Sequence, residues 1–249
     1  MARFFVDALP PEGSRFTLTG ENADHARVLR LRPGEEAALC DGRGAECPGR
    51  VVEGMTLTVG PASPSPAEPR AEVSVWISFP KADKAEHVIQ KATELGAAEI
   101  VLFPTRYCVS RPDEKSLGKK LERWQKIARS AAEQSRRGRI PAVRAVNSYA
   151  DALRQAAGAR LPILFYENEG GYSLRDALAE TGCTGGPESS AQALSVSLMT
   201  GAEGGFSEEE IDAAKDAGMK ICTLGPRILR CETAPLAALS AVMYALGEM

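Results

Sequence analysis

The residues best placed to do chemistry in this chain sit in two glycine turns. One reads GAEGGFSEEE from Gly201, the other LGPRILRCETAPLAAL from Leu224. In each, glycine directly follows an apolar run and precedes a helix-forming run. Glycine has no Cβ, so its main-chain N–H and C=O groups can approach a ligand closely. The spacing is not the dinucleotide pattern G-x-G-x-x-G with an acidic residue about twenty positions on, nor the P-loop G-x-x-x-x-G-K-[ST]. Two readings stand at this point: tight strand-to-helix turns, or two walls of a ligand site. Ser207 is placed to cap the following helix, with Glu210 at the capping-box position.

The second concentration of chemistry is charge. Residues 106–144 carry twelve Lys/Arg against four Asp/Glu, on a chain whose formal net charge is −3. Such asymmetry suits a surface that meets a polyanion. A solvated helix face with i,i+4 pairs accounts for Lys119, Glu122, Arg123 and Lys126. It does not account for RRGR at 136–139. The six cysteines form no C-x-x-C pair and there are two histidines, so no zinc set is expected.

These residues need elements to hold them. From residue 72 onward, apolar runs alternate with helical patterns: EVSVWISF, EIVLFP, AVRAV, LPILFY, LSVSLM and KICTLG are read as strands. Helices are expected at 116–135, 148–157, 173–180, 207–217 and 232–247. KAEHVIQKATELGA also reads as a helix, with Ala85, Val88, Ile89, Ala92 and Leu95 on one face and Gly96 closing it. This rhythm predicts an α/β domain with a parallel sheet covered on both faces. Both glycine turns then fall at strand carboxyl ends, where open α/β sheets bind ligands.

Ahead of it, GPASPSPAEPRA (60–71) reads as an interdomain linker. Short β-like runs precede that, at 3–6, 15–18, 37–40, 50–52 and 56–59, with one helix at 21–35 capped near Asn22. They predict a small β-barrel, giving domains at 1–68 and 72–249. The segment 182–192 reads as a mobile surface loop. With no apolar run of about 18 residues and no signal-like start, a soluble cytoplasmic protein with no membrane contact is expected.

The tail MTGAEGGFSEEEIDAAKDAG…LGPRILRCETAPLAAL resembles the RsmE family of 16S rRNA (uracil-N3)-methyltransferases, whose pattern is approximately GPEGGFS-x-x-E followed by LGxRILRxETA. KADKAEHVIQKATELGAAEIVLFPT (81–105), RWQKIARSAAEQSRRGRIPAV (123–143), RFFV and HARVLRLRPGE resemble it too, so the likeness covers nearly the whole chain. Ala202 stands where the family usually has proline, and Tyr107 where it usually has arginine.

The resemblance implies a SPOUT-type parallel-sheet domain with a C-terminal trefoil knot, an N-terminal PUA-like β-barrel, and a homodimer. It implies S-adenosylmethionine held by Tyr166, Glu167, Thr200, Gly201, Glu203, Gly204, Gly205, Leu224, Gly225, Ile228, Leu229 and Arg230. The substrate implied is 16S rRNA or the small ribosomal subunit. Uracil N3 must lose its proton, so Arg136, Glu133 and Gln134 are the catalytic candidates, as base or as stabilisers of the anion. Arg27, Arg30, Arg32, Arg106, Arg111, Arg137 and Arg139 are the candidates for gripping RNA. No metal is expected. Another RNA position, a tRNA, or a non-catalytic assembly role are the competing readings.

Overall fold

The computed structural model describes residues 1–167, 170–180 and 194–249. The expected loop at 182–192, with Cys183, lies outside them. Two compact units emerge. The first holds Met1–Glu68 with Arg129–Ile140, the second Pro69–Ala128 with Pro141–Met249.

The first unit contains β1 (Ala2–Phe5), β2 (Arg15–Thr17), α1 (Gly20–Val28), β3 (Glu36–Cys40), β4 (Ala45–Glu53), β5 (Thr56–Val59) and β6 (Ser63–Pro64). They make a mixed sheet of order β1-β3-β4-β5-β2, with β6 paired to β4. The hydrogen-bonded path runs open from β1 to β2 and does not close into a ring. Phe4, Leu39, Leu57, Val59 and Ala26 form its core.

Two expectations are corrected here. Asn22 does not cap the helix; its side-chain amide donates to the Phe5 carbonyl at 2.8 Å. The helix stops at Val28, with Arg30 left-handed at φ 55 and the Leu31 N–H reaching back to the Ala26 carbonyl. The stretch 60–71 does contain the boundary between the units, at Glu68/Pro69, but its first part is built into the first unit. β6 lies within it, the Ser65 N–H donates to the Gly44 carbonyl at 2.8 Å, and Glu68 is pinned by Arg137.

The second unit alternates strand and helix: β7 (Glu72–Ser78), α2 (Ala82–Glu94), β8 (Glu99–Phe103), α3 (Glu114–Gln134), β9 (Ala142–Ala145), α4 (Tyr149–Ala156), β10 (Leu161–Phe165), α5 (Leu174–Ala179), β11 (Ser195–Thr200), α6 (Glu208–Asp216), β12 (Lys220–Cys222) and α7 (Ala234–Ala245). The last six residues of α3 count with the first unit. The sheet order is β12-β10-β11-β7-β8-β9, and every pairing is parallel. Its strands are buried almost throughout, as a sheet covered on both faces requires. Chain order reverses between β7 and β11, the kind of switch point where such sheets open a crevice.

Serine side chains open three of these helices. Ser148, Ser173 and Ser207 cap α4, α5 and α6, the last two with full capping boxes. Val88, Ile89 and Ala92 of α2 are fully buried. Helix α7 buries Pro235, Ala238, Leu239, Val242 and Met243 against α2, β7 and β11.

Candidate functional site

β11, β10 and β12 are neighbours, so their carboxyl ends deliver three loops to one place. Residues 165–167 leave β10, 200–206 leave β11 and 223–231 leave β12. Together they line a cavity of about 710 Å³. That volume suits a nucleoside-sized ligand. Eleven of the twelve residues expected to hold a cofactor line it.

The exception is Gly204. The first turn is closed by the Gly205 N–H donating to the Ala202 carbonyl at 3.0 Å. A Cβ on Gly204 would lie 2.6 Å from the Tyr107 Cβ, so this glycine exists to let Tyr107 approach, not a ligand. Gly205 does face the cavity: its φ is 64, and a Cβ there would sit 3.0 Å from Glu167 Oε1. In the second turn the Thr223 hydroxyl accepts the Gly225 N–H at 3.1 Å, and Ile228 is 85% exposed at the cavity mouth.

Lys84 is a lining residue that the sequence reading did not name and that stands far from both turns in the chain. The Lys84 ammonium, from α2, lies 3.1 Å from Glu203 and 3.1 Å from Glu232, and 3.5 Å from Cys231 Sγ. The hydrogen bonds to Glu232 and Glu203 raise the Lys84 pKa. Burial pushes the Glu203 carboxyl up, but main-chain N–H groups and Lys84 outweigh it and hold it low. Main-chain N–H donation likewise lowers Glu232, with Lys84 adding to it. Burial, then the neighbouring Glu232, pushes the Cys231 thiol up to about 11. No local pattern marks Lys84, because its partners stand more than a hundred residues downstream.

Among the RNA candidates of the second unit, Arg106 is ion-paired with Glu209 at 3.0 Å. Arg111 donates to the carbonyls of Thr105 and Arg106. Both stiffen the 105–111 loop, which Glu210 fastens to α6 by accepting the Arg106 N–H at 2.7 Å.

The remaining candidates belong to the first unit. Arg137 is corrected: it is 2% exposed and bound to Glu68, out of reach of a phosphate. Arg139 is half-buried, and its N–H is also held by Glu68. Glu133 already engages Arg129 at 3.3 Å and lies 3.7 Å from His25, a poor setting for a base. Gln134 and Arg136 are exposed, and Arg136 is left-handed at φ 64. Arg27, Arg30 and Arg32 are exposed, Arg27 beside Asp24.

Comparison with known proteins decides what family this architecture serves. The RNA methyltransferase domain family matches residues 66–243, and the RNA methyltransferase PUA domain matches residues 18–55. The ribosomal RNA small subunit methyltransferase E of Bacillus subtilis is 34% identical over 98% of this chain and 96% of its own. That of Mycobacterium bovis is 37% identical over 96% and 90%. The chain belongs to the ribosomal RNA small subunit methyltransferase E family.

The crystal structure of the methyltransferase E from Neisseria gonorrhoeae, bound to S-adenosyl methionine, superimposes with a TM-score of 0.79 at 30% identity, covering 98% of this chain and 97% of that one. The likeness extends over both the PUA-like unit and the parallel-sheet α/β unit of this chain. Within the methyltransferase E pattern, Ala202 replaces the usual proline without opening the turn: it is 7% exposed and its carbonyl closes the loop.

Proposed function

We propose that this protein methylates N3 of a uridine in 16S rRNA of the small ribosomal subunit, with S-adenosylmethionine held in the cavity beyond β10, β11 and β12. The carrying observation is that two glycine turns and the end of β10 converge on one cavity in a chain of this family. The lining fits the ligand's chemistry. The turns present main-chain groups, Glu167 stands beside Gly205, and Ile228 supplies an exposed apolar side chain at the mouth. Bound there, S-adenosylmethionine supplies a methyl group activated by its sulfonium.

Thr200, Gly201, Glu203 and Gly205 form one wall, Leu224, Gly225, Ile228, Leu229 and Arg230 the second, Tyr166 and Glu167 the third. The uracil N3 proton must leave, and charge then builds on the ring oxygens. Arg136, exposed and free of the Glu68 clamp that holds Arg137, is the group assigned to that charge. Arg27, Arg30 and Arg32 are assigned to phosphates. The reading includes a C-terminal trefoil knot, a cytoplasmic setting, and a homodimer using the outer face of α7. Tyr244, 79% exposed there, supports the last. Among the described residues no helix is long and apolar enough to cross a membrane.

The test is rRNA mapping in a deletion strain. Loss of one N3-methyluridine, restored by the purified protein with S-adenosylmethionine, is expected. An unchanged N3-methyl mark refutes the assignment. A missing mark elsewhere in rRNA or tRNA reassigns the substrate.

A further inference from the structure

Among the described residues, every one lining the cavity lies between Phe165 and Ala234 except Lys84. Its position relative to the turns is specific. Glu203 belongs to the first glycine turn, and Glu232 follows the second. Lys84 takes one carboxylate from each. The Lys81 N–H also approaches Glu203, at 3.4 Å, so the start of α2 as a whole is applied to the first turn. Without a cation between them, the two carboxylates would repel and drive the turns apart. With it, one ammonium spans both.

We propose that Lys84 is a positioning residue for the methyl donor: through Glu203 and Glu232 it ties the two turns together and keeps both carboxylates occupied, away from the sulfonium. This rests on the cavity being the S-adenosylmethionine site. The three side chains are 22–26% exposed, and ion pairs that wet add little to global stability. The effect therefore belongs to the spacing of the turns. It also belongs to charge. Methyl transfer removes the sulfonium's positive charge, so a free carboxylate nearby would hold the charged donor better than the transition state or the neutral product. Such ground-state binding does not accelerate transfer. Occupied carboxylates avoid that.

The experiment is calorimetric titration of the full-length protein with S-adenosylmethionine and S-adenosylhomocysteine. Lys84→Met is expected to weaken S-adenosylhomocysteine roughly tenfold. S-adenosylmethionine should weaken less, so the preference shifts toward the sulfonium while the apo melting temperature stays near wild type. Lys84→Arg should recover most of the affinity. The triple variant Lys84→Met, Glu203→Gln, Glu232→Gln should still bind both ligands weakly but lose the sulfonium preference. Wild-type affinity in Lys84→Met, or in the triple variant, overturns the clamp; the triple variant decides alone if Lys84→Met does not fold. Failure of the wild-type protein to bind either ligand removes the cavity reading itself, and the clamp with it.

Discussion

Arg137 donates to the Glu68 carboxylate at 2.7 Å, and the same carboxylate accepts the main-chain N–H groups of Gly138 and Arg139 at 2.8 and 2.9 Å. Glu68 stands at the end of the Pro/Ser-rich stretch. The segment that reads as an interdomain linker is thus nailed into the first unit by one carboxylate that takes donors from three consecutive residues. Glu68→Ala removes the carboxylate to which the Arg137 guanidinium, 3% exposed at the side chain, is bound. A loss of about 3 kcal/mol is expected, read as a lower urea midpoint. Glu68→Gln should lose less, since its amide oxygen still accepts.

Arg136 and Arg30 both end helices in the left-handed conformation, at φ 64 and 55. In each case the next residue's N–H reaches back to a carbonyl five positions earlier, at 2.9 and 3.2 Å. This is a Schellman ending, where glycine is the unstrained choice. Arg136→Gly is therefore expected to stabilise the protein, by about 0.5–1 kcal/mol, while methylation falls at least about a hundredfold. Thermal melting and single-turnover methylation measure the two. A stabilised and fully active variant would remove the catalytic role assigned to Arg136.

The two adjacent glycines should separate packing from binding. Gly204→Ala drives a Cβ against Tyr107 and should cost about 1–3 kcal/mol of stability, with a modest effect on S-adenosylhomocysteine. Gly205→Ala combines left-handed strain with a 3.0 Å contact to Glu167. It should weaken the ligand more than tenfold. Paired melting and calorimetry on both variants give the comparison.

Charge sorts differently in the structure than along the chain. Arg106, Arg111, Arg123, Arg129, Arg137 and Arg144 have internal partners. Lys115, Lys119 and Lys126 are exposed on one face of α3, with no ion pair among the described residues. Replacing the three by Gln should lower the slope of log affinity against log salt by roughly 2, measured by anisotropy with a labelled 16S rRNA fragment.

Two thiols tie stability to alkaline pH. Burial pushes Cys40 up to about 11, partly offset by Arg3, and Cys231 up to about 11 as well. Unfolded, these thiols ionise near their ordinary value of 9.0. The unfolded state therefore releases protons first, and stability that is complete below pH 9 is lost as pH rises through 11. Urea midpoints should fall across that window, and Cys40→Ala with Cys231→Ala should flatten the fall.

The strand–helix rhythm was legible because it is local. Helix-forming runs between the apolar strands placed α2 to α7 within two or three residues, the Ser207 cap marked the start of α6, and the two glycine turns marked the cavity. What was illegible was long-range. A helix start at Asn22 was inferred from its side chain, which instead serves the Phe5 carbonyl across the unit. RRGR reads as one basic cluster, yet burial divides it: Arg137 faces inward to Glu68 and Arg136 outward. Gly204 and Gly205 are indistinguishable as letters, and only the contacts of Tyr107 and Glu167 tell them apart. Lys84 carried no signal, since a single sequence does not show which acids it will meet.

The order of strands bears on how the protein is made. Among the described residues β10 pairs with β11 and β12 alone, and both follow it in the chain. When translation brings residues 161–165 out of the ribosome, that strand has no neighbour to join. It must wait for β11 to slot in beside β7, a partner over a hundred residues older. A nascent chain can thus complete its first unit, which needs nothing beyond Ile140, while still inert as an enzyme. The second unit is assembled last and together, so truncation anywhere short of α7 should yield a partly folded chain without the cavity beyond β10, β11 and β12.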